Sequence, residues 1–288
     1  MNFHGDEIDR PRFFFIFSPN NSGSTVLSQY VASQIGGYLP PYGNNEGQTV
    51  PSVNRIMRKG QWTEAEYDWP FIRSEWERLA RGKSFIEGSP PNLMRFRQIA
   101  QTFGTDSTAI SSICSPYQQI ASCVRRYKSP PFNPADLVPL WVMKAEKISE
   151  FRETYDFPVT NYQEFTADPE SLNRSLGIPV VDAEINGKKG SGARGIQDQS
   201  ATAILFLTDP EIEAVTKALR PHRGLMDYFG LEAPEIPREG HHLAAQRRAD
   251  WNARGSAKPG LLRRIYWRLA VARGSGIASR ARAVLDQF

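Results

Sequence analysis

Cysteine is scarce in this chain: 288 residues contain only Cys114 and Cys123. Two thiols so close in sequence make no disulfide framework, and there is no C-x-x-C or Cys/His spacing for a metal, so no metal cofactor is expected and a reducing cytoplasm fits. Histidine is nearly as rare, and His4, His222, His241 and His242 fall before the first strand, in a late turn and in the tail, so none is a natural general base. Long apolar runs are missing too. The run Phe13 to Phe17 spans five residues, and no window approaches the roughly 18 needed to cross a bilayer. The start, MNFHGDEIDRPR, mixes acids and bases where an export signal needs a basic start and a longer apolar stretch, which predicts a cytoplasmic protein. Charge of one sign is lacking overall, since the net is only +4, but residues 236 to 288 carry eleven Lys/Arg against Glu239, Asp250 and Asp286. A tail of +8 on a body of −4 suits contact with an anionic surface and argues against nucleic-acid binding along the whole chain.

What is present is a repeated order of strand, turn and helix. Phe13 to Phe17 (FFFIF) reads as a strand buried on both faces, followed by a helix from Ser24 to Ile35 with Val26, Leu27, Tyr30, Val31 and Ile35 on one stripe. Gly36 to Pro51 is a Gly/Pro/Asn-rich surface loop. The pattern then predicts a helix over 62–79, a strand over 84–87 and a helix over 92–103. A strand over 109–113, a helix over 117–126, a long helix over 137–155, a strand over 159–162 and a helix over 209–219 follow. Such alternation predicts an α/β fold with a central parallel sheet flanked by helices. The only boundary the pattern suggests lies near residue 235, separating a domain over 1–235 from a basic, partly helical C-terminal extension over 236–288.

Between the first strand and first helix stands Ser18 to Thr25, SPNNSGST. A loop that hands a parallel strand over to a helix converges backbone N–H groups and the positive helix end on one point, which suits an anion. Gly23 permits close approach, and the hydroxyls of Ser22, Ser24 and Thr25 are donors. The same composition also makes a plain helix-capping turn. It is not a Walker A loop, for it lacks both the first glycine and the lysine.

The apolar strand followed by a loop ending SGST resembles the loop by which sulfotransferases hold the 5′-phosphosulfate of the donor PAPS. IEGSPPN (Ile86 to Asn92) is similar to that family's EKTP or EKSP segment. ICSPYQQIASCVRR (Ile113 to Arg126) is similar to its V-R-[DN]-P segment and the serine that follows, and YQEF (Tyr162 to Phe165) to its YEDL. Lys188, Lys189 and Gly190 resemble its RKG loop. The resemblance covers residues 12 to 230 and implies a P-loop-like three-layer fold, PAPS as co-substrate and a hydroxyl-bearing acceptor, glycan, lipid or small molecule. It implies donor contacts at Asn21, Ser22, Gly23, Ser24 and Thr25, with Cys114, Ser122, Lys188, Lys189 and Gly190 on the 3′-phosphate. It also implies a catalytic carboxylate at Glu46, in the loop after the first helix; read as a residue, Glu46 is equally an ordinary loop acid.

The departures fall on charge. Asn21, Gly88 and Cys114 stand where the family places cations, which leaves open a non-catalytic member or a different donor. Arg125, Arg126, Lys128, Lys144, Lys188, Lys189 and Arg194 are candidate replacements, each by default a solvated surface charge. Glu87 reads as a cleft group or a structural carboxylate; Tyr38, Tyr42, Trp62 and Trp69 read as sugar-stacking or packing residues. LLRRIYWRLAV (Leu261 to Val271) has the composition of a helix lying on an anionic membrane, or of one docked on the protein's own body.

Overall fold

Five consecutive apolar residues of a strand can all be buried only where it has neighbours at both edges and cover on both faces. In the computed structural model, which describes residues 11–126, 133–182, 185, 196–233 and 243–254, Phe13–Phe17 is that strand (β1), with no residue more than 2% exposed. The helices and strands that follow, in chain order, are α1 (Ser24–Ile35), α2 (Pro51–Met57), α3 (Trp69–Ala80), β2 (Phe85–Glu87), α4 (Phe96–Phe103) and β3 (Ser107–Ile113). Then come α5 (Pro116–Arg126), α6 (Val138–Thr154), β4 (Val159–Asn161), α7 (Tyr162–Ala167) and α8 (Pro169–Leu176). The last are α9 (Ser200–Ile204), α10 (Asp209–Leu219), α11 (Arg223–Tyr228) and α12 (Ala244–Arg254).

The described residues gather into two units, one built from the chain up to Ile113 plus Lys147–Gln197, the other from Cys114–Glu146 plus the chain from Asp198 onward. The first holds the sheet, all parallel, in the order β2-β1-β3-β4. Strand order reverses between β1 and β3, and in open α/β sheets such a switch point is where the carboxyl ends of the strands leave a crevice for ligands.

Alternation along β1 divides the core. Phe14 and Ile16 pack with Leu27, Tyr30, Val31 and Ile35 of α1 and with Phe165, Leu172 and Leu176. Phe13 and Phe15 meet the Phe103 ring edge-on at 4.6 and 4.9 Å, and Phe17 meets Phe151 at 5.0 Å. Sequence and structure agree on the bounds of β1, α1 and α10. They part at α3, expected from Trp62 but opening at Trp69, because Asp68 caps it by accepting the Phe71 amide and Pro70 suits the first turn. They part again before α4, where Pro90-Pro91 supplies no amides and residues Pro90–Arg95 form a 3₁₀ turn instead.

In the second unit, the Tyr117 hydroxyl meets Thr216 Oγ1 at 2.9 Å and Ser200 Oγ donates to Gln118 at 2.9 Å. Arg248 of α12 grips both carboxylate oxygens of Glu211. The segment Leu261 to Val271, like the rest of the chain after Arg254, lies outside the described residues.

Candidate functional site

The turn from β1 into α1 is made of two left-handed residues, Asn21 (φ 61°) and Gly23 (φ 86°). Asparagine tolerates that conformation better than most side chains, and Gly23 needs it without a Cβ. A Cβ on Gly23 would also lie 2.3 Å from the Tyr162 ring, whose hydroxyl donates to the Gln197 carbonyl at 2.9 Å. Tyr162 begins α7 and is not the end of a strand as expected; Asn161 caps that helix in a reciprocal pair with Glu164.

Gly23 is the N-cap of α1 and no side chain caps the helix, so its first-turn amides are not met by a capping side chain. Asn20, Asn21, Gly23 and Thr25 keep partial exposure, whereas Ser24 is only 8% exposed. The Ser22 hydroxyl, offered above as an anion donor, is fully buried and donates to the Pro19 carbonyl at 2.5 Å, so it holds the turn. Ser18, the first residue after β1, is buried with its hydroxyl unmatched by any hydrogen bond. A loop with an uncapped helix start and an unsatisfied buried hydroxyl fits an anionic group.

The carboxyl end of β2 carries the second part. Glu87 is 1% exposed, yet three donors converge on it: the Gly47 amide at 2.5 Å, the Ser89 amide at 2.9 Å and Asn92 Nδ2 at 2.8 Å. Burial pushes its carboxyl up to about 7 against the pull of the Ser89 side chain and the Ser89 and Gly47 amides, with the neighbouring charge of Glu46 adding to the rise. Glu46 itself is half-buried, and its carboxylate accepts from Gln48 Nε2 at 2.5 Å and Asn44 Nδ2 at 3.4 Å. Gln48 is held in turn by Gln61 Nε2 at 2.7 Å. Sequence reasoning weighed Glu87 only as one of two options; no local pattern shows that a strand-end acid will meet a loop 40 residues earlier.

Of the aromatic candidates, Trp62 and Trp69 are core residues at 1% and 4% exposure, while Tyr42 is exposed. Gly88, where the resemblance expects a lysine, is buried, and a Cβ there would lie 2.5 Å from Ser28 Oγ. Cys114 and Ser122 belong to the second unit. Cys114 is fully buried; burial raises its thiol far above the usual range, the nearby Cys123 adds to that, and the charge of Lys144 opposes it. Lys144 is thus an interior cation at 1% exposure, not the solvated surface charge expected. Arg125 lies over the Phe206 ring at 5.7 Å. Lys128, Lys188, Lys189, Gly190 and Arg194 lie outside the described residues. Among the described residues no group of three His, Cys, Asp or Glu is placed to hold a metal, and no helix is long and apolar enough to cross a membrane.

No family model matches the chain, and no curated protein matches it. Solved structures do. A sulfotransferase from Alicyclobacillus acidocaldarius is 14% identical with a TM-score of 0.50, covering 77% of this chain and 97% of its own. A sulfotransferase domain of the curacin biosynthetic pathway is 15% identical with a TM-score of 0.45, covering 83% and 98%. With its parallel sheet, flanking helices and loop at the switch point, the chain has the sulfotransferase fold.

Proposed function

We propose that the chain binds the 5′-phosphosulfate of PAPS at Ser18 to Thr25 and transfers its sulfuryl group to a hydroxyl of a glycan, lipid or small molecule. The new bond joins the acceptor oxygen to sulfur as the bond from sulfur to the donor's phosphate oxygen breaks. The proton of the hydroxyl passes to the Glu46 carboxylate, oriented for this by Gln48 and Asn44. Transfer of this kind is mostly positioning and charge stabilisation, and the chain's share is the α1 amides and positive helix end. The observation that carries the reading is the uncapped start of α1, reached through a left-handed glycine at the carboxyl end of the central strand.

A second reading is favoured by one observation: the position expected to bear the 3′-phosphate arginine is a fully buried cysteine. A donor without that phosphate, or binding without catalysis, would need no cation there. Calorimetry separates the two readings. The first predicts that 3′-phosphoadenosine 5′-phosphate binds with a Kd on the order of micromolar, and that adenosine 5′-phosphate binds about tenfold or more weaker, as loss of a charge-assisted contact requires. Equal binding of both nucleotides supports the second reading, and no heat with either at about millimolar ligand overturns nucleotide binding altogether.

A further inference from the structure

Gly47 stands between the two acids of the loop-and-strand cluster. Its amide donates to Glu87 Oε2 at 2.5 Å, and a Cβ on it would come within 2.0 Å of that oxygen and 2.9 Å of the Trp76 ring. Only glycine lets the peptide after Glu46 come this close. The next amide, of Gln48, donates to Ser89 Oγ at 3.1 Å, so two successive peptides after Glu46 are tied to the turn that ends β2. On its other side the Glu46 carboxylate is gripped by Gln48 Nε2, whose partner oxygen is held by Gln61. Glu87 therefore sits at the root of a short chain of contacts with Glu46 at its tip.

We propose that Glu87 is a positioning residue for Glu46: the buried carboxylate at the end of β2 holds the Gly47 amide and so fixes the peptide that aims the loop glutamate at the acceptor hydroxyl. The role rests on the reading of Glu46 as the proton acceptor. It differs from a purely structural one in a way that can be measured. In its ionised form, which prevails above about pH 7, Glu87 accepts on both oxygens, Oε2 from Gly47 and Oε1 from Ser89 and Asn92. The amide of Glu87→Gln has one acceptor, so either orientation turns an NH₂ against a donor. Gly47→Ala breaks the same contact from the loop side.

The test measures transfer from PAPS to an acceptor above pH 7, where Glu87 is ionised, together with hydrogen exchange at the Gly47 and Gln48 amides, in the full chain. Glu46→Gln should lower kcat about 10²-fold or more, as loss of a general base does. Glu87→Gln and Gly47→Ala should each lower kcat about 10-fold to 10²-fold, the scale of a displaced reacting group, with acceptor KM nearly unchanged and exchange at Gly47 accelerated. A wild type that transfers nothing, or Glu46→Gln as active as wild type, overturns the reading of the site and the positioning role with it. An inactive Glu46→Gln beside fully active Glu87→Gln or Gly47→Ala overturns the positioning role alone. Should Glu87→Gln fail to fold, Gly47→Ala decides.

Discussion

At the scale of single residues, Glu87 is where two opposing effects can be weighed. Three hydrogen-bond donors favour its ionised form, and burial favours the neutral one; burial wins, because the carboxyl sits at about 7 against an ordinary 4.5. The consequence for stability has a definite sign. Between these two values the folded chain keeps the proton that the unfolded chain gives up, so Glu87's contribution is full below about pH 4.5 and is lost as pH rises through about 7. The loss is on the order of 3 kcal/mol for a shift of this size. Urea unfolding of wild type and Glu87→Gln over this window should show a steeper fall in wild type; parallel curves would mean that the acid does not carry a native-state proton. Glu46 is the charged neighbour that bears on this group, and the fall in Glu46→Gln should be shallower than in wild type.

At the scale of elements, the turn into α1 and the start of α7 form one unit through the Gly23 backbone and the Tyr162 ring. Gly23→Ala meets two penalties, a left-handed backbone for a residue with a Cβ and a clash with the ring at 2.3 Å. Strain of the first kind costs about 1–3 kcal/mol and overpacking of the second kind about as much. Unfolding of Gly23→Ala should show a loss of about 2 kcal/mol or more, and adding Tyr162→Ala should return part of it, since that change removes the clash alone. If the double variant is simply additive, the ring does not bear on Gly23. The glycine was legible in the sequence as part of a loop between strand and helix. Its partner was not, because a contact across 139 positions leaves no local periodicity.

At the scale of the whole molecule, the charge asymmetry bears on what the chain meets outside itself, although Arg247 and Arg248 of the basic segment bind within the second unit, to the Leu205 carbonyl and to Glu211. Residues 236 to 288 carry +8 while the remainder carries −4. The proposal that this tail meets an anionic membrane predicts that the full chain sediments with phosphatidylserine vesicles and not with neutral ones, each basic residue near the surface contributing about 1 kcal/mol. Changing Arg263, Arg264 and Arg268 to Glu should abolish sedimentation; binding that survives would assign those arginines to packing on the protein. The sequence alone determined the fold class and the bounds of β1 and α1, because burial on two faces and helical amphipathicity are periodic and therefore local. It also marked the switch-point loop by its glycine and hydroxyls. Only the tertiary structure decided that Ser22 holds its own turn, that Cys114 and Lys144 are interior, that Gly88 faces Ser28, and that Glu87 grips the peptide beside Glu46. Each of these depends on which side chain arrives from a distant segment, and desolvation or contact of that kind has no signature until the chain is closed.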